Sequence, residues 1–267
     1  MLTSTQNRRV KQARLLQNQR DERDREGLFV AEGVRLSDDL IKAGLTAEYA
    51  FISAQATAAR WQAEHRTIDT LTVSDTVMRS LSLEMHPPGV LVVFRTPAVN
   101  IDELRASPPH QILILDALRD PGNLGACLRV AAGADCRLVL LSPGSVDPYN
   151  PKALRGGMGA HARLTVAALD WLAIRSICKG RPVWVAEAAG ERTYDLVSWN
   201  EPNALVIGGE ANGISATARE LSSGAISIPL ANRVESLNAA VACGVVLFEA
   251  ARQRRHAAGR SLNERTR

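Results

Sequence analysis

The chain has 267 residues, of which 46% are hydrophobic, so it can bury the core of one large domain or two modest ones. Its net charge of +4 is modest. No apolar run approaches the roughly 20 residues that a membrane-spanning helix needs. The first residues, Met1-Leu-Thr-Ser-Thr, carry no apolar stretch typical of a signal peptide. The composition therefore argues against a membrane protein.

The four cysteines all lie in apolar stretches and show no paired spacing of the kind that holds zinc. They are Cys127, Cys136, Cys178 and Cys243. This pattern predicts reduced core residues rather than disulfides or metal ligands. We accordingly expect a cytoplasmic protein without a metal ion.

Arginine dominates the basic residues and is concentrated near both ends of the chain. Of the 32 basic residues, 28 are arginines. The planar guanidinium matches phosphate and stacks on bases, which suits RNA. A genome of high GC content would give the same preference for arginine over lysine without any functional meaning. The basic residues near the start of the chain are also interleaved with acidic residues, as on a solvated helix face.

The first 96 residues alternate between strand and helix patterns. The pattern predicts a polar helix over residues 1–25, a strand and turn over 27–33 and a helix over 34–43. Further strands are expected at 48–52, 67–68, 71–73 and 89–94, with a helix at 75–81. This alternation predicts a small α/β domain over residues 1–96.

Prolines in residues 97–110 indicate a linker, and short buried strands then alternate with helices over residues 111–256. Strands are predicted at 112–115, 138–141, 164–166, 183–186, 205–207 and 226–228. Helices are predicted near 124–132, 151–158, 169–178, 216–221 and 237–252. Such alternation is typical of a parallel sheet covered by helices on both faces. Residues 257–267 form a basic tail that we expect to be disordered.

Three segments of this second region carry polar groups and glycines after buried strands. Asp120–Arg129 follows the apolar run Ile112–Asp116, and Ala204–Gly213 is a buried strand that opens into glycines. Ile226–Leu230 is predicted to be a strand that leads through a polar loop to a helix, with Ser236 as its N-cap. The glycine spacing fits neither a dinucleotide fingerprint nor a P-loop.

In this order and spacing, the three segments resemble the SpoU (TrmH-like) family of RNA ribose 2′-O-methyltransferases. Its Asn-x-Gly motif with a following arginine is matched by Asn123, Gly125, Ala126 and Arg129. Its Gly-x-Glu-x-x-Gly motif is matched by Gly208, Glu210 and Gly213. Its Ile-Pro and Ser-Leu-Asn elements are matched by Ile228, Pro229, Leu230, Ser236, Leu237 and Asn238.

The resemblance implies an α/β fold whose C-terminal, SPOUT-type parallel sheet is flanked by helices and contains a deep trefoil knot. It also implies S-adenosylmethionine as the cofactor. The run from Phe29 to Leu36 resembles the small α/β substrate-binding domain that often precedes these methyltransferases. That domain is related in fold to RNA-binding ribosomal proteins.

The matched residues divide into two roles. Gly208, Gly209 and Gly213 would allow the backbone to approach the cofactor closely, and Ile228, Leu230 and Leu237 would flank its adenine. The resemblance makes Arg129 the catalytic arginine. Since an arginine is always protonated, we expect it to stabilise the developing alkoxide and grip a phosphate. Asn123 and Asn238 would orient the arginine or the ribose, Glu210 would hold an arginine, and Ser236 would contact RNA or cap its helix.

One position departs from the family pattern, since Ala231-Asn232 stands where many relatives have a residue followed by glycine. Asparagine tolerates left-handed backbone angles, so the loop is expected to survive. His161 follows a glycine run and is interpreted as structural.

These features favour a methyltransferase that acts on a ribose 2′-hydroxyl in RNA. Ribosomal RNA is favoured over transfer RNA because the N-terminal domain resembles ribosome-associated modules. The competing hypotheses are a non-catalytic RNA-binding assembly factor and, less well matched, a nucleotide-dependent oxidoreductase. The apolar residues of the helix at 237–251 occupy more of its circumference than one sheet face can cover. Together with this pattern, the resemblance to the SpoU family implies a homodimer joined through the C-terminal domain.

Overall fold

The structure, a computed structural model, describes residues 1–210 and 212–259. The chain forms two compact units. One comprises Met1–Ala98 and Tyr149–Ala162, and the other comprises Val99–Pro148 and the described residues between 163 and 259. The sequence did not predict that residues 149–162 belong with the first unit. Most of the predicted basic tail lies outside the described residues.

The first unit contains a small mixed sheet with helices on both faces. Its N-terminal part runs α1 (Arg8–Asn18), α2 (Arg20–Glu26), β1 (Leu28–Glu32), α3 (Val34–Lys42), β2 (Ala47–Ile52), α4 (Ala56–Glu64), β3 (Thr70–Thr72), α5 (Asp75–Leu81) and β4 (Val90–Arg95). The strands are ordered β1-β4-β2-β3. β4 pairs antiparallel with β1 and β2, and β3 is parallel to β2.

Alternation along β4 builds two cores, because successive side chains point to opposite faces. Leu91 and Val93 join the residues of α1 and α5, whereas Val92 and Phe94 join those of α3 and α4. The later segment also enters this second core, because Leu154 is buried within it.

The second unit carries a larger sheet. Its elements are α6 (Ile101–Ala106), β5 (Gln111–Asp116), α7 (Pro121–Gly133), β6 (Leu138–Leu141), β7 (Thr165–Ala168), α9 (Trp171–Ile177), β8 (Val183–Ala186), β9 (Arg192–Thr193), β10 (Asn203–Gly208), α10 (Ala216–Leu221), β11 (Gly224–Ser227) and α11 (Ala239–Ala257). Helix α8 (Pro151–Gly157) is the part of the first unit that interrupts this series. The strand order is β7-β6-β5-β10-β8-β11-β9, and every pairing is parallel.

Burial explains why these strands read as continuous apolar runs. Ile112 and Ile114 face a core that α6, α9 and α10 help to form, and every residue from Gln111 to Asp116 is buried. On α7 and α11, which pack against each other, Leu128 and Leu247 are fully buried. Parallel sheets are covered on both faces in this way. The predicted α/β class with a parallel sheet is confirmed.

Several predicted elements differ from the observed ones. Residues 67–68 are a turn rather than a strand, and α4 was not predicted. The expected linker contains α6, whose Ile101 and Leu104 pack on the core of the second unit. The single helix expected over residues 1–25 is two helices, since Gln19 takes an extended conformation between them.

All four cysteines are free and buried, as predicted. Burial raises the pKa of Cys136 to about 12 and that of Cys178 to about 11. In the part of the chain that the structure describes, no helix has the length and apolarity needed to cross a membrane. Within the same residues, no group of three or more His, Cys, Asp or Glu side chains is arranged to hold a metal ion.

Candidate active site

The central strands of the large sheet bring two of the three motifs together. β5 and β10 are parallel neighbours, and their register places Asp116 opposite Gly208. Because parallel strands end at the same edge of a sheet, the segments that follow them meet there. After β5 the chain enters α7. The Asp120 side chain caps this helix by accepting a hydrogen bond from the backbone amide of Asn123 at 2.7 Å.

A chain of hydrogen bonds then joins all three motifs. The Asn238 side-chain amide donates to Asn123 Oδ1 at 2.9 Å. The side-chain amide nitrogen of Asn123 in turn donates to Glu210 Oε1. Each amide therefore has a defined orientation, fixed by a partner far away in sequence. Glu210, expected to hold an arginine, instead accepts from Asn123.

Asn238 also starts the last helix, which corrects the prediction that Ser236 is its N-cap. Asn238 Oδ1 accepts from the backbone of Ala240 at 2.9 Å and of Val241 at 3.4 Å. The helix consequently begins at Ala239 rather than Leu237. Ser236 remains exposed in the preceding loop.

The glycines after β10 are required by close backbone approaches. A Cβ atom on Gly208 would lie 2.4 Å from the carbonyl carbon of Gly213, and one on Gly209 would lie 2.6 Å from the Ala117 oxygen. Gly213 has a φ of +60° and donates its amide to Gly209 O at 2.9 Å. A side chain at either close approach would push the loop out of place.

Asp116 organises the same loops, although sequence reasoning gave it no role. Its carboxylate is buried and accepts from Ser142 Oγ at 2.9 Å and from the Ser215 amide at 2.7 Å. Its backbone oxygen accepts from Gly209 at 2.9 Å. A carboxylate at the end of a buried strand was the available sequence signal, because buried charges need several partners.

A cavity of about 480 Å³ opens beside the hydrogen-bonded chain. It is lined by Ala186, Glu187, Ala188, Ile207, Gly208, Gly209, Glu210, Gly213, Ile214, Arg219, Ser236, Leu237, Asn238, Ala239 and Ala242. The lining is apolar along β10 and the start of α11, and it carries an ion pair between Arg219 and Glu187 at 2.5 Å. This is the size and character of many small-molecule sites.

Most of the predicted site residues surround this cavity, but not all of them. Ile228 and Leu230 are half-buried and lie outside its lining. The strand predicted over residues 226–228, before Pro229, spans Gly224–Ser227. In the following loop, Asn232 has a φ of +54°, which confirms that asparagine supports the left-handed conformation there. Arg233, at +58°, was not expected to share it.

Asn123 faces a second cavity, of about 460 Å³, which shares part of its wall with the first. Gly209, Glu210 and Gly213 line both cavities, and Arg119 lines the second. Arg129 is exposed on α7, about 9 Å beyond Asn123 along the helix axis. The adjacent Val130 faces Gly244 of α11.

Comparisons with known proteins agree with this architecture. The profile of the SpoU rRNA Methylase family matches residues 110–248, and that of the MRM3-like substrate binding domain matches residues 7–92. An uncharacterized tRNA/rRNA methyltransferase of Synechocystis is 31% identical, over 94% of this chain and 93% of the relative. The human mitochondrial rRNA methyltransferase 3 is 30% identical, over 93% of this chain and 73% of the relative.

A solved structure is similar over nearly the whole chain. The SpoU methyltransferase AviRb from Streptomyces viridochromogenes, in complex with the cofactor AdoMet, superposes with a TM-score of 0.85 at 26% identity, covering 93% of this chain and 98% of AviRb. Fold, motifs and site thus define a SPOUT-type methyltransferase architecture. The chain belongs to the SpoU rRNA Methylase family.

Proposed function

We propose that the protein transfers a methyl group from S-adenosylmethionine to a ribose 2′-hydroxyl in ribosomal RNA. The observation that carries this proposal is the hydrogen-bonded chain Asn238–Asn123–Glu210, whose Asn238 and Glu210 line the 480 Å³ cavity and whose Asn123 lines the adjoining 460 Å³ cavity. It unites the three family motifs at one site. Membership of the SpoU family and the AdoMet complex of AviRb support the same reaction.

The residues of the first cavity fit the proposed cofactor. Ile207 and Leu237 offer apolar surface for adenine, and Glu187 and Asn238 offer polar groups for the ribose or the amino acid part. The close approaches at Gly208 and Gly209 keep the loop free of side chains that would fill the space. When bound, S-adenosylmethionine supplies a methyl group already activated by a sulfonium. Ile228 and Leu230, which are half-buried outside the lining of this cavity, would also flank the adenine.

Positioning is the main task of the protein's own residues. Asn123 and Glu210 hold each other in place where the two cavities share a wall, so we assign the second cavity to the acceptor nucleotide. Alignment of two reactants can lower a barrier by about 7–11 kcal/mol in favourable cases. Arg129 would stabilise negative charge that develops on the ribose oxygen. Ser236, exposed beside the cavity, would contact RNA.

Ribosomal RNA is the favoured target because the match to an MRM3-like substrate binding domain covers residues 7–92. A mitochondrial rRNA methyltransferase is also among the relatives matched over most of this chain. Transfer RNA is the second candidate, since the Synechocystis relative is described as a tRNA/rRNA methyltransferase. We also propose a cytoplasmic location, which the four free and buried cysteines support.

We further propose a homodimer formed through α11. This helix buries Cys243, Val246 and Leu247 inwards, whereas 52% of Val241 and 47% of Phe248 are exposed. Exposed large apolar residues on one helix are typical of an interface with a second copy.

The reaction can be tested with purified protein, labelled S-adenosylmethionine and unmodified large-subunit ribosomal RNA, with transfer RNA as a parallel substrate. We expect label in ribosomal RNA at an alkali-resistant linkage, because a methylated 2′-oxygen cannot attack the adjacent phosphodiester. Label on a base would contradict the assignment. RNA binding without incorporation into either RNA would favour the non-catalytic assembly factor.

A further inference from the structure

A second basic site lies at the opposite edge of the large sheet from the methyl-transfer motifs. A cavity of about 580 Å³ opens there, beside the start of β5. Its lining residues are Pro109, His110, Gln111, Gly133, Ala134, Asp135, Arg137, Ala251, Arg254, Arg255 and Ala258. The lining therefore contains three arginines and a histidine but a single carboxylate, that of Asp135. None of these residues belongs to the family motifs identified from the sequence.

Arg254 lines this cavity, and its guanidinium is held by neutral groups. Its guanidinium donates to Gln111 Oε1 and, at 3.0 Å, to Ala134 O at the end of α7. Burial lowers the pKa of Arg254, and the nearby Cys136 and Asp135 offset this lowering only in part. Among the described residues, no carboxylate forms an ion pair with it. The partial negative charge of the α7 C-terminus compensates some of its charge, but less than one unit.

The other two arginines complete the site. Arg255 follows Arg254 on α11, and Arg137 stands between α7 and β6. Asp135 pairs with Arg137 at 3.3 Å, but both side chains are largely exposed, so this pair is weak. The excess positive charge within a concave space is suited to an oxyanion that accepts several N–H bonds.

We propose that this cavity binds a backbone phosphate of the RNA substrate, at a point remote from the nucleotide that is methylated. The assignment of RNA rests on the proposed function. Gln111 and Asp116, at the two ends of β5, are about 17 Å apart at the usual strand rise. A group bound at this edge therefore cannot touch the reacting ribose. It adds affinity and orientation, and it leaves the chemical step unchanged.

The test uses the full-length Arg137→Gln/Arg255→Gln double variant, which spares the structural Arg254. Arg175→Gln is the control, because it removes an exposed arginine of α9 outside this cavity. Binding of labelled large-subunit ribosomal RNA is measured against salt concentration, together with S-adenosylmethionine affinity and turnover at saturating RNA.

We expect the double variant to lower the salt slope of RNA binding by about 0.7–0.9, as for one lost phosphate contact. Cofactor affinity and saturated turnover should match the wild type, and Arg137→Lys/Arg255→Lys should restore much of the slope. A slope equal to that of the wild type would overturn the proposal. If inorganic phosphate stabilises the wild type more than the double variant while the RNA slope stays unchanged, the site takes free phosphate and the RNA assignment is wrong.

Failure of the proposed function would look different. A wild-type protein that binds RNA with a salt-dependent affinity but incorporates no methyl group would contradict methyl transfer. The slope comparison between the variants would still decide whether this cavity contacts phosphate.

Discussion

The Asn238 side chain uses both ends of its amide, and the two ends have separable purposes. The oxygen caps α11, and the nitrogen donates to Asn123, which then donates to Glu210. An amide at this position can therefore serve stability and catalysis together. A carboxylate of the same shape would retain only the first of these contacts.

Replacing Asn238 with Asp should keep the cap but turn the donor towards Asn123 into an acceptor. We expect kcat/KM to fall roughly tenfold or more, because the Asn123 oxygen loses its partner, while thermal stability changes little. Asn238→Ala also removes the cap and should lose about 1 kcal/mol of stability in addition. Equal activity of Asn238→Asp and wild type would show that the amide chain does not orient the site.

Arg129 is expected to act in the methyl-transfer step without holding the cofactor, since it is exposed on α7 and absent from the lining of the first cavity. Arg129→Ala should abolish turnover and leave S-adenosylmethionine affinity near that of the wild type. Calorimetry and a single-turnover assay measure the two quantities. Arg175→Ala serves as a charge-matched control, and retention of full turnover by Arg129→Ala would contradict the catalytic role.

Gly209 and Gly244 offer a matched pair of alanine substitutions. At Gly209 the new Cβ would lie 2.6 Å from the Ala117 backbone oxygen, so we expect Gly209→Ala to distort the loop and weaken S-adenosylmethionine binding. At Gly244 the nearest atom, on Val130, is 3.8 Å away, and the residue lies within α11. Gly244→Ala should be neutral or stabilise by about 0.5–1 kcal/mol. Unfolding curves with and without cofactor distinguish the two effects.

Elements with strong apolar patterns could be predicted from the sequence, and those with weak patterns could not. β6, β8 and α10 have the predicted bounds, because a buried run or a cap defines both ends. Helix α4 was missed because it contributes few core residues, chiefly Ala58 and Trp61. The proline-rich flanks of α6 concealed a short helix that packs on the core of the second unit.

The candidate site was only partly predictable for a related reason. Family motifs identified Asn123, Glu210 and Asn238, but sequence spacing cannot show which amide donates to which oxygen. That information depends on the pairing of β5 with β10, which aligns Asp116 with Gly208. The organising role of Asp116 follows from the same pairing. The trefoil knot is implied by the family and stays a prediction.

The interrupting segment around α8 makes the first unit dependent on two parts of the chain. Leu154 is buried among residues of the small sheet, and the Tyr149 ring lies 4.5 Å from that of Phe29. A fragment beginning at Val99 would expose these residues. We expect it to bind more of a hydrophobic dye than the full chain and to aggregate, and a Leu154→Ser substitution in the fragment should reduce both. A monomeric fragment with low dye binding would contradict this expectation.

For the whole molecule, the proposed dimer predicts that a substitution in the interface lowers the molar mass in solution as well as the activity. Phe248→Glu places a charge on an exposed apolar position, so the interface should lose its affinity while the monomer stays folded. Light scattering should show a monomer, and circular dichroism should be unchanged. Val245→Glu, at a half-buried position, should act in the same direction with some loss of stability. A wild-type protein that is an active monomer at micromolar concentration would refute the dimer.

The hydrogen bonds of the site join residues that are made at different times during translation, so the site cannot form until the last of them has been made. Asn123 lies 87 residues before Glu210 and 115 residues before Asn238. At the usual ribosomal rate of about 5–20 residues per second, Asn238 is made some 6 to 23 s after Asn123. Throughout that interval the nascent chain holds a finished first motif without its partners. The protein can therefore become competent for its proposed reaction only after Asn238 has been made.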